Sequence, residues 1–134
     1  GIPVMGHLGL TPQSIYKFGT YNVRGKNKIE ADQLIEDAQT LEKLGCFSTV
    51  LEKIPHKLSE EISKKTKFPL IGIGAGNNVD GQVLVIHDLI GLTNEFNPRF
   101  IRRYLDLNSS IKSAVSQFIK DVKSSDFPSK DEMY

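Results

Sequence analysis

Two residues of the chain have the type and setting for acid–base chemistry. Glu52 closes the apolar run from Phe47 (FSTVLE), and a glutamate is almost never fully buried without a partner or a task. A carboxylate partly withdrawn from water is a stronger proton acceptor, as removal of a carbon-bound proton near neutral pH requires. Glu52 is therefore a candidate general base, and its plainer role is an ion pair with Lys53, Arg24 or a neighbouring loop. His7 stands between Gly6 and Gly9, so little bulk surrounds a ring that can meet a substrate. Its plainer role is to satisfy local hydrogen bonds.

Other clusters carry less. Gly72-x-Gly74-x-Gly76 looks like a phosphate or dinucleotide loop, but its spacing is not G-x-G-x-x-G, and a tight strand-to-helix turn that leaves room in a pocket is expected instead. His87-Asp88 is a pair of the kind found in metal hydrolases. No further ligands follow at helical spacing, so it is read as structural. Lys64-Lys65 reads as solvated helix surface, whereas Arg102-Arg103 could reach an anion from a strand end. Cys46 precedes a buried strand and reads as packing; His56 beside Pro55 is given no role.

These residues need elements to hold them. Ile2 to His7 is a short apolar run bounded by turn formers and reads as a strand. Thr11-Pro12 starts one or two helical turns that reach Gly19, and a polar loop follows from Thr20 to Lys28. Ala31, Leu34, Ile35, Ala38, Leu41 and Leu44 recur at helical spacing, with Gly45 as the cap. Phe47 to Glu52 is the second strand, Lys57 to Lys67 a short amphipathic helix and Phe68 to Ile73 the third strand.

Val83 to Ile86 has strand propensity, but a parallel neighbour needs a crossover of about a dozen residues. A helix over 81–90, capped by Asp80 and ended by Gly91, is therefore expected. Phe100 to Tyr104 becomes the fourth strand. Asn108 or Ser109 then caps a last helix with Ile111, Ala114, Val115, Phe118, Ile119 and Val122 on its apolar face. Phe127-Pro128 ends it, and 129–134 is expected as a loose tail.

Four strand–helix units in this order predict an α/β fold with a parallel sheet and right-handed crossovers. They amount to half of a (β/α)8 barrel, since a full one takes about 250 residues. Residues 1–134 are thus expected to be a single partial domain. The loop after the first strand lies at a carboxyl end, where such folds place ligands.

Composition narrows the partners. Seventeen Lys plus Arg against sixteen Asp plus Glu give a net charge of +1, which argues for neither a nucleic-acid nor a membrane-surface partner. One cysteine forms no internal disulfide, and a reducing, cytoplasmic setting is expected. No apolar run approaches the roughly 20 residues of a membrane helix. The chain begins at Gly1 without a methionine, and with the half-barrel count this leads us to expect a fragment or a processed chain.

Read in order, Val4-Met5-Gly6-His7-Leu8-Gly9-Leu10-Thr11-Pro12-Gln13-Ser14, Val50-Leu51-Glu52, Ile71 to Gly76, and Asp80-Gly81-Gln82-Val83-Leu84-Val85-x-His87-Asp88 closely resemble the ketopantoate hydroxymethyltransferase family. The resemblance covers almost the whole chain, up to Phe127-Pro128, and corresponds to the carboxyl-terminal half of that TIM barrel, units five to eight. It implies transfer of a hydroxymethyl group from 5,10-methylenetetrahydrofolate to 3-methyl-2-oxobutanoate, giving 2-dehydropantoate for pantothenate and coenzyme A biosynthesis. The chemistry is an aldol-type addition through an enolate stabilised by magnesium. Glu52 matches the family's catalytic base, and His7 matches a histidine close to the keto acid.

The family's metal-binding acidic residues and substrate lysine come from its first four strands. No metal ligand is therefore named in this chain, and Asp80 and Asp88 match none of them. The chain alone is expected to be inactive without the amino-terminal half of the barrel. The family's decamer implies a homo-oligomer. Folate contacts are expected in the loop from Gln13 to Lys28, with Tyr21 and Arg24 as the residues to test. Two rivals stand beside this reading: a non-catalytic assembly or ligand-binding half-barrel, whose open sheet edge needs a partner, and another enolate enzyme of the phosphoenolpyruvate and pyruvate barrel group.

Overall fold

Apolar runs too short for helices become strands here, and the longer periodic segment between them becomes a helix. The computed structural model describes residues 1–95 and 97–134. The strands are β1 (Met5–Gly9), β2 (Ser48–Glu52) and β3 (Leu70–Ile73), each ending where the sequence turns to glycine or proline. Between β1 and β2 lie a 3-10 turn (Pro12–Ser14), the short helix α1 (Ile15–Phe18) and the long helix α2 (Lys28–Lys43). Asn27 Oδ1 accepts from the Glu30 N–H at 2.9 Å and caps α2, satisfying a donor that the first turn cannot use. At the other end Gly45 takes φ 88°, and the Gly45 and Cys46 N–H groups return to Glu42 and Leu41 at 3.0 Å. Helix α3 (His56–Lys65) joins β2 to β3.

All strands are parallel, in the order β1-β2-β3-β4, where β4 is the short strand Gly81–Gln82. Opposed residues share a face of a sheet and alternate along each strand. Gly6, Leu8, Thr49, Leu51 and Leu70 therefore face the helices, where Leu34, Ile35, Ala38, Leu51, Ile54, Leu58, Ile62, Leu70 and Ala75 form the core. His7, Val50, Glu52, Ile71 and Ile73 take the opposite face, through the pairs His7↔Val50, Gly9↔Glu52, Val50↔Ile71 and Glu52↔Ile73.

The fourth unit corrects two expectations. Residues 81–90 do not form one helix: Gly81–Gln82 is the fourth strand, β4, paired parallel with Ile71 and Gly72, and only Ile86–Leu89 (α4) is helical. The return needs no crossover helix because residues 74–80 reverse the chain directly, with Gly74 at φ 64° and Gly76 at φ 86°, values that L side chains rarely adopt. Asp80 is not a helix cap. Its N–H donates to the Leu70 carbonyl at 3.0 Å and its carboxylate accepts from the Leu70 N–H at 2.9 Å, which locks the returning chain beside β3.

Nor is Phe100 to Tyr104 a strand. The Ile101 N–H turns back to Pro98 and the Tyr104 N–H to Leu89, while the Arg103 guanidinium bonds Asn97 Oδ1 and the Thr93 carbonyl. Local partners have outcompeted the extended propensity of the segment.

By contacts the chain divides into two units, residues 1–83 and 84–134. The first holds the sheet with α1 to α3. The second holds α4 and α5 (Leu107–Ser124), where α5 is capped by Asp106 accepting from the Ser109 N–H at 3.1 Å. Ile111, Val115, Phe118, Ile119 and Val122 on α5 are exposed. Residues 130–132, within the segment expected as a loose tail, form a 3-10 turn closed by a capping box between Ser129 and Glu132.

Candidate active site

Glu52 is the last residue of β2 and His7 the middle residue of β1, two positions apart in register, and both lie on the sheet face opposite the core. The diagonal brings the side chains together: His7 Nε2 lies 3.0 Å from Glu52 Oε2. The side chains are 29% and 17% exposed, so the pair is sheltered and still reachable. Ile73 lies across from Glu52 on β3. The carboxylate thus has a hydrogen-bonding neighbour on one side and an apolar one on the other.

The backbone around Glu52 is tied from three directions. Its carbonyl accepts from the Leu10 N–H at 2.8 Å; the next residue, Lys53, donates its N–H to the Ile73 carbonyl at 2.8 Å and accepts from the Arg24 N–H at 3.0 Å. Lys53 takes φ 50°, a conformation costing a non-glycine residue about 1–2 kcal/mol, and its ammonium bonds the Tyr21 carbonyl. The loop after α1 is thereby fastened to the strand end that carries the carboxylate.

That loop borders a cleft of about 550 Å³ walled by β1, α1 and α2, with His7, Thr11, Lys17, Phe18, Arg24 and Glu30 in its lining. Glu52 is not part of this wall. We place the site at the His7–Glu52 pair rather than at the cleft, because the pair is where a proton acceptor and a donor meet. His7 belongs to both.

Arg24 is committed locally. Its guanidinium pairs with Glu30 and stacks over the Phe18 ring at 4.2 Å, while Glu30 also accepts from the Gly25 N–H at 2.7 Å. Tyr21 is exposed. The plainer role weighed for Glu52, an ion pair with Lys53 or Arg24, does not occur, since both cations have other partners.

The remaining candidates fall outside the site. Gly76 packs against His56, where an added β-carbon would come 2.4 Å from the His56 Cβ, and Ser59 Oγ bonds the His56 and Ala75 carbonyls. The glycine run is thus a turn seated on the start of α3, leading to a strand and not to a helix. Lys64 and Lys65 pair with Glu60 and Glu61 along α3. Asp88 is buried on α4, and Arg103 serves its own loop. Cys46 is half-buried before β2. Among the described residues, no group of three or more His, Cys, Asp or Glu side chains comes together as metal ligands. The side chains of the described residues do not by themselves assemble a ligand set for a divalent ion.

Sequence reasoning missed the locking role of Asp80 and the linking role of Lys53, for which ten-residue separation and an ordinary lysine offer no signal. It also missed the Asn27 cap, although Asn27-x-x-Glu30 has the spacing of a capping motif.

A family model described as ketopantoate hydroxymethyltransferase matches residues 1–130. The chain belongs to that family. Proteins named 3-methyl-2-oxobutanoate hydroxymethyltransferase from Flavobacterium johnsoniae, Christiangramia forsetii and Porphyromonas gingivalis are 64%, 62% and 60% identical to it over all 134 residues. The match covers 49% of each of those relatives, so the chain spans about half the length of the curated relatives it matches. A four-stranded parallel sheet in a chain whose curated relatives are about twice as long is consistent with half of a TIM barrel. No helix among the described residues is long and apolar enough to cross a membrane.

Proposed function

We propose that the chain contributes the proton-abstracting half of a ketopantoate hydroxymethyltransferase site, which passes a hydroxymethyl group from 5,10-methylenetetrahydrofolate to 3-methyl-2-oxobutanoate to give 2-dehydropantoate. The observation that carries this reading is the His7–Glu52 pair, 3.0 Å apart, with Glu52 at the carboxyl end of β2 and His7 two residues before the end of the adjacent parallel β1, on the sheet face opposite the core. Barrels of this class place catalysis at that end.

Glu52 acts as the base. Its carboxylate takes the proton from C3 of the keto acid; the C–H bond breaks, an O–H bond forms on Glu52, and the electron pair passes into the enolate. Water breaks the two C–N bonds of the folate's one-carbon unit and supplies its oxygen, tetrahydrofolate leaves with both water protons on its nitrogens, and the enolate carbon bonds the aldehyde carbon so released; the alkoxide of this aldol-type addition takes the proton held on Glu52. His7 stands beside the keto acid. Enolate stabilisation by magnesium belongs to ligands outside these 134 residues, and no step here is routed through the ion.

The same reading makes the other half of the barrel an obligatory partner, the 134 residues alone inactive, and the complete enzyme a cytoplasmic homo-oligomer. The rival, a non-catalytic assembly half-barrel, gives no reason for a carboxylate and an imidazole to meet outside the core at a strand end.

The experiment is deuterium exchange at C3 of 3-methyl-2-oxobutanoate, followed by proton NMR in the full-length protein carrying this segment. Glu52→Gln is expected to lower exchange by about 10²–10⁴-fold with keto-acid binding retained. Wild-type exchange rates in the variant would mean that another group is the base.

A further inference from the structure

The bond between His7 and Glu52 says more than that the two are close. A carboxylate that serves as the base can only accept hydrogen bonds, so on that reading the proton of this bond belongs to His7 Nε2. Among the described residues, Oε2 of Glu52 takes its side-chain bond from His7 and Oε1 takes none. The two oxygens are therefore inequivalent before any substrate arrives.

We propose that His7 is a positioning residue for the Glu52 carboxylate, holding Oε2 through its Nε2–H so that Oε1 is the oxygen that receives the proton. This rests on the reading of Glu52 as the base. It alters the role expected for His7: the ring nitrogen that faces Glu52 is already engaged, so the main contribution of His7 is to the base and not to the oxygens of the keto acid.

The proton balance favours this division of labour. When Oε1 takes a proton, Oε2 becomes the carbonyl oxygen of a neutral acid and still accepts from Nε2–H. The His7 bond thus survives both protonation states, and the carboxyl need not rotate between taking the proton and releasing it. Without His7, the glutamate side chain gains rotamer freedom, and loss of orientation at a reacting group slows the step without weakening substrate binding.

Sheet geometry fixes the His7 end of the bond. His7 is central in β1, flanked by rungs to β2, and the close approach of β1 to β2 at Gly9 and Leu10 sets the distance between the strands at Glu52. Lys17, Arg24, Glu30 and Asp37 line the cleft that His7 borders. Arg24 and Glu30 are paired with each other.

The test uses the full-length protein carrying this segment, with His7→Ala and His7→Gln read by C3 deuterium exchange and by KM for 3-methyl-2-oxobutanoate. Glutamine keeps an N–H donor at a comparable reach. The expected result is an exchange rate at saturating keto acid about tenfold or more lower in His7→Ala, KM within about twofold of wild type, and most of the rate restored in His7→Gln. A raised KM with an unchanged saturating rate, or a glutamine variant no better than alanine, overturns the proposal in favour of direct contact with substrate. Should His7→Ala fail to fold, His7→Gln beside His7→Leu carries the same comparison. Glu52→Gln is measured in parallel: exchange persisting there removes the base itself, an outcome distinct from failure of His7.

Discussion

A β-carbon on Gly9 would lie 2.2 Å from the Glu52 carbonyl oxygen. Gly9 also takes φ 90°, so two independent constraints, contact and backbone angle, exclude a side chain where β1 passes the residue bearing the carboxylate. The Leu10 N–H bonds the same oxygen. Gly9→Ala is expected to cost about 1–3 kcal/mol and to displace Glu52 as the strands part. Denaturant unfolding gives the first value, and loss of C3 exchange beyond the loss of folded protein gives the second.

Tyr21 and Arg24 stand on the loop fastened to Lys53. On the proposed function, replacing either by alanine weakens binding of 5,10-methylenetetrahydrofolate in the full-length protein. Arg24→Ala also releases Glu30 and uncovers Phe18. Titration of both variants checks this, and unchanged affinity in both places the folate elsewhere.

Leu51 is fully buried between the sheet and its helices, one residue before Glu52. Leu51→Ala removes that packing and leaves a void, and stability is expected to fall by about 2–5 kcal/mol. A midpoint shift in urea with an unchanged slope is the expected signature.

Hydrogen bonds from the Ser109 hydroxyl and backbone N–H hold the Asp106 carboxyl below its ordinary value of 3.8. A depressed folded-state value stabilises the fold above the unfolded one, and the contribution is lost as pH falls through the depressed value. Acid titration is therefore expected to fray the start of α5 only below about pH 3.8. In Asp106→Ala the first turn is expected to show weak amide protection already at neutral pH, and equal protection in the two proteins would remove the capping role.

Much of the first unit was readable from its residues. Apolar spacing from Ala31 to Leu44 and the glycine at 45 are local properties, and they place α2 and its end within a residue or so. The short runs that became β1, β2 and β3 were readable for the same reason, because three apolar or β-branched residues between breakers have few other solutions. The fourth strand was not. Val83 to Ile86 and Phe100 to Tyr104 both carry strand propensity, yet β4 is Gly81–Gln82, which carries none. Its position follows from Asp80 meeting Leu70 across ten residues of chain, a contact that exists only after β3 is in place.

The candidate site divides along the same line. Sequence by itself determined an α/β chain of parallel strands, that Glu52 ends an apolar strand and that His7 sits among glycines, since residue type and spacing are local. Tertiary structure alone decided that the two meet. A two-residue offset across parallel strands sets His7 Nε2 against Glu52 Oε2, and it directs Lys53 and Arg24 to other partners. Register arises from long-range pairing of strands forty-five positions apart, which no pattern within either strand encodes.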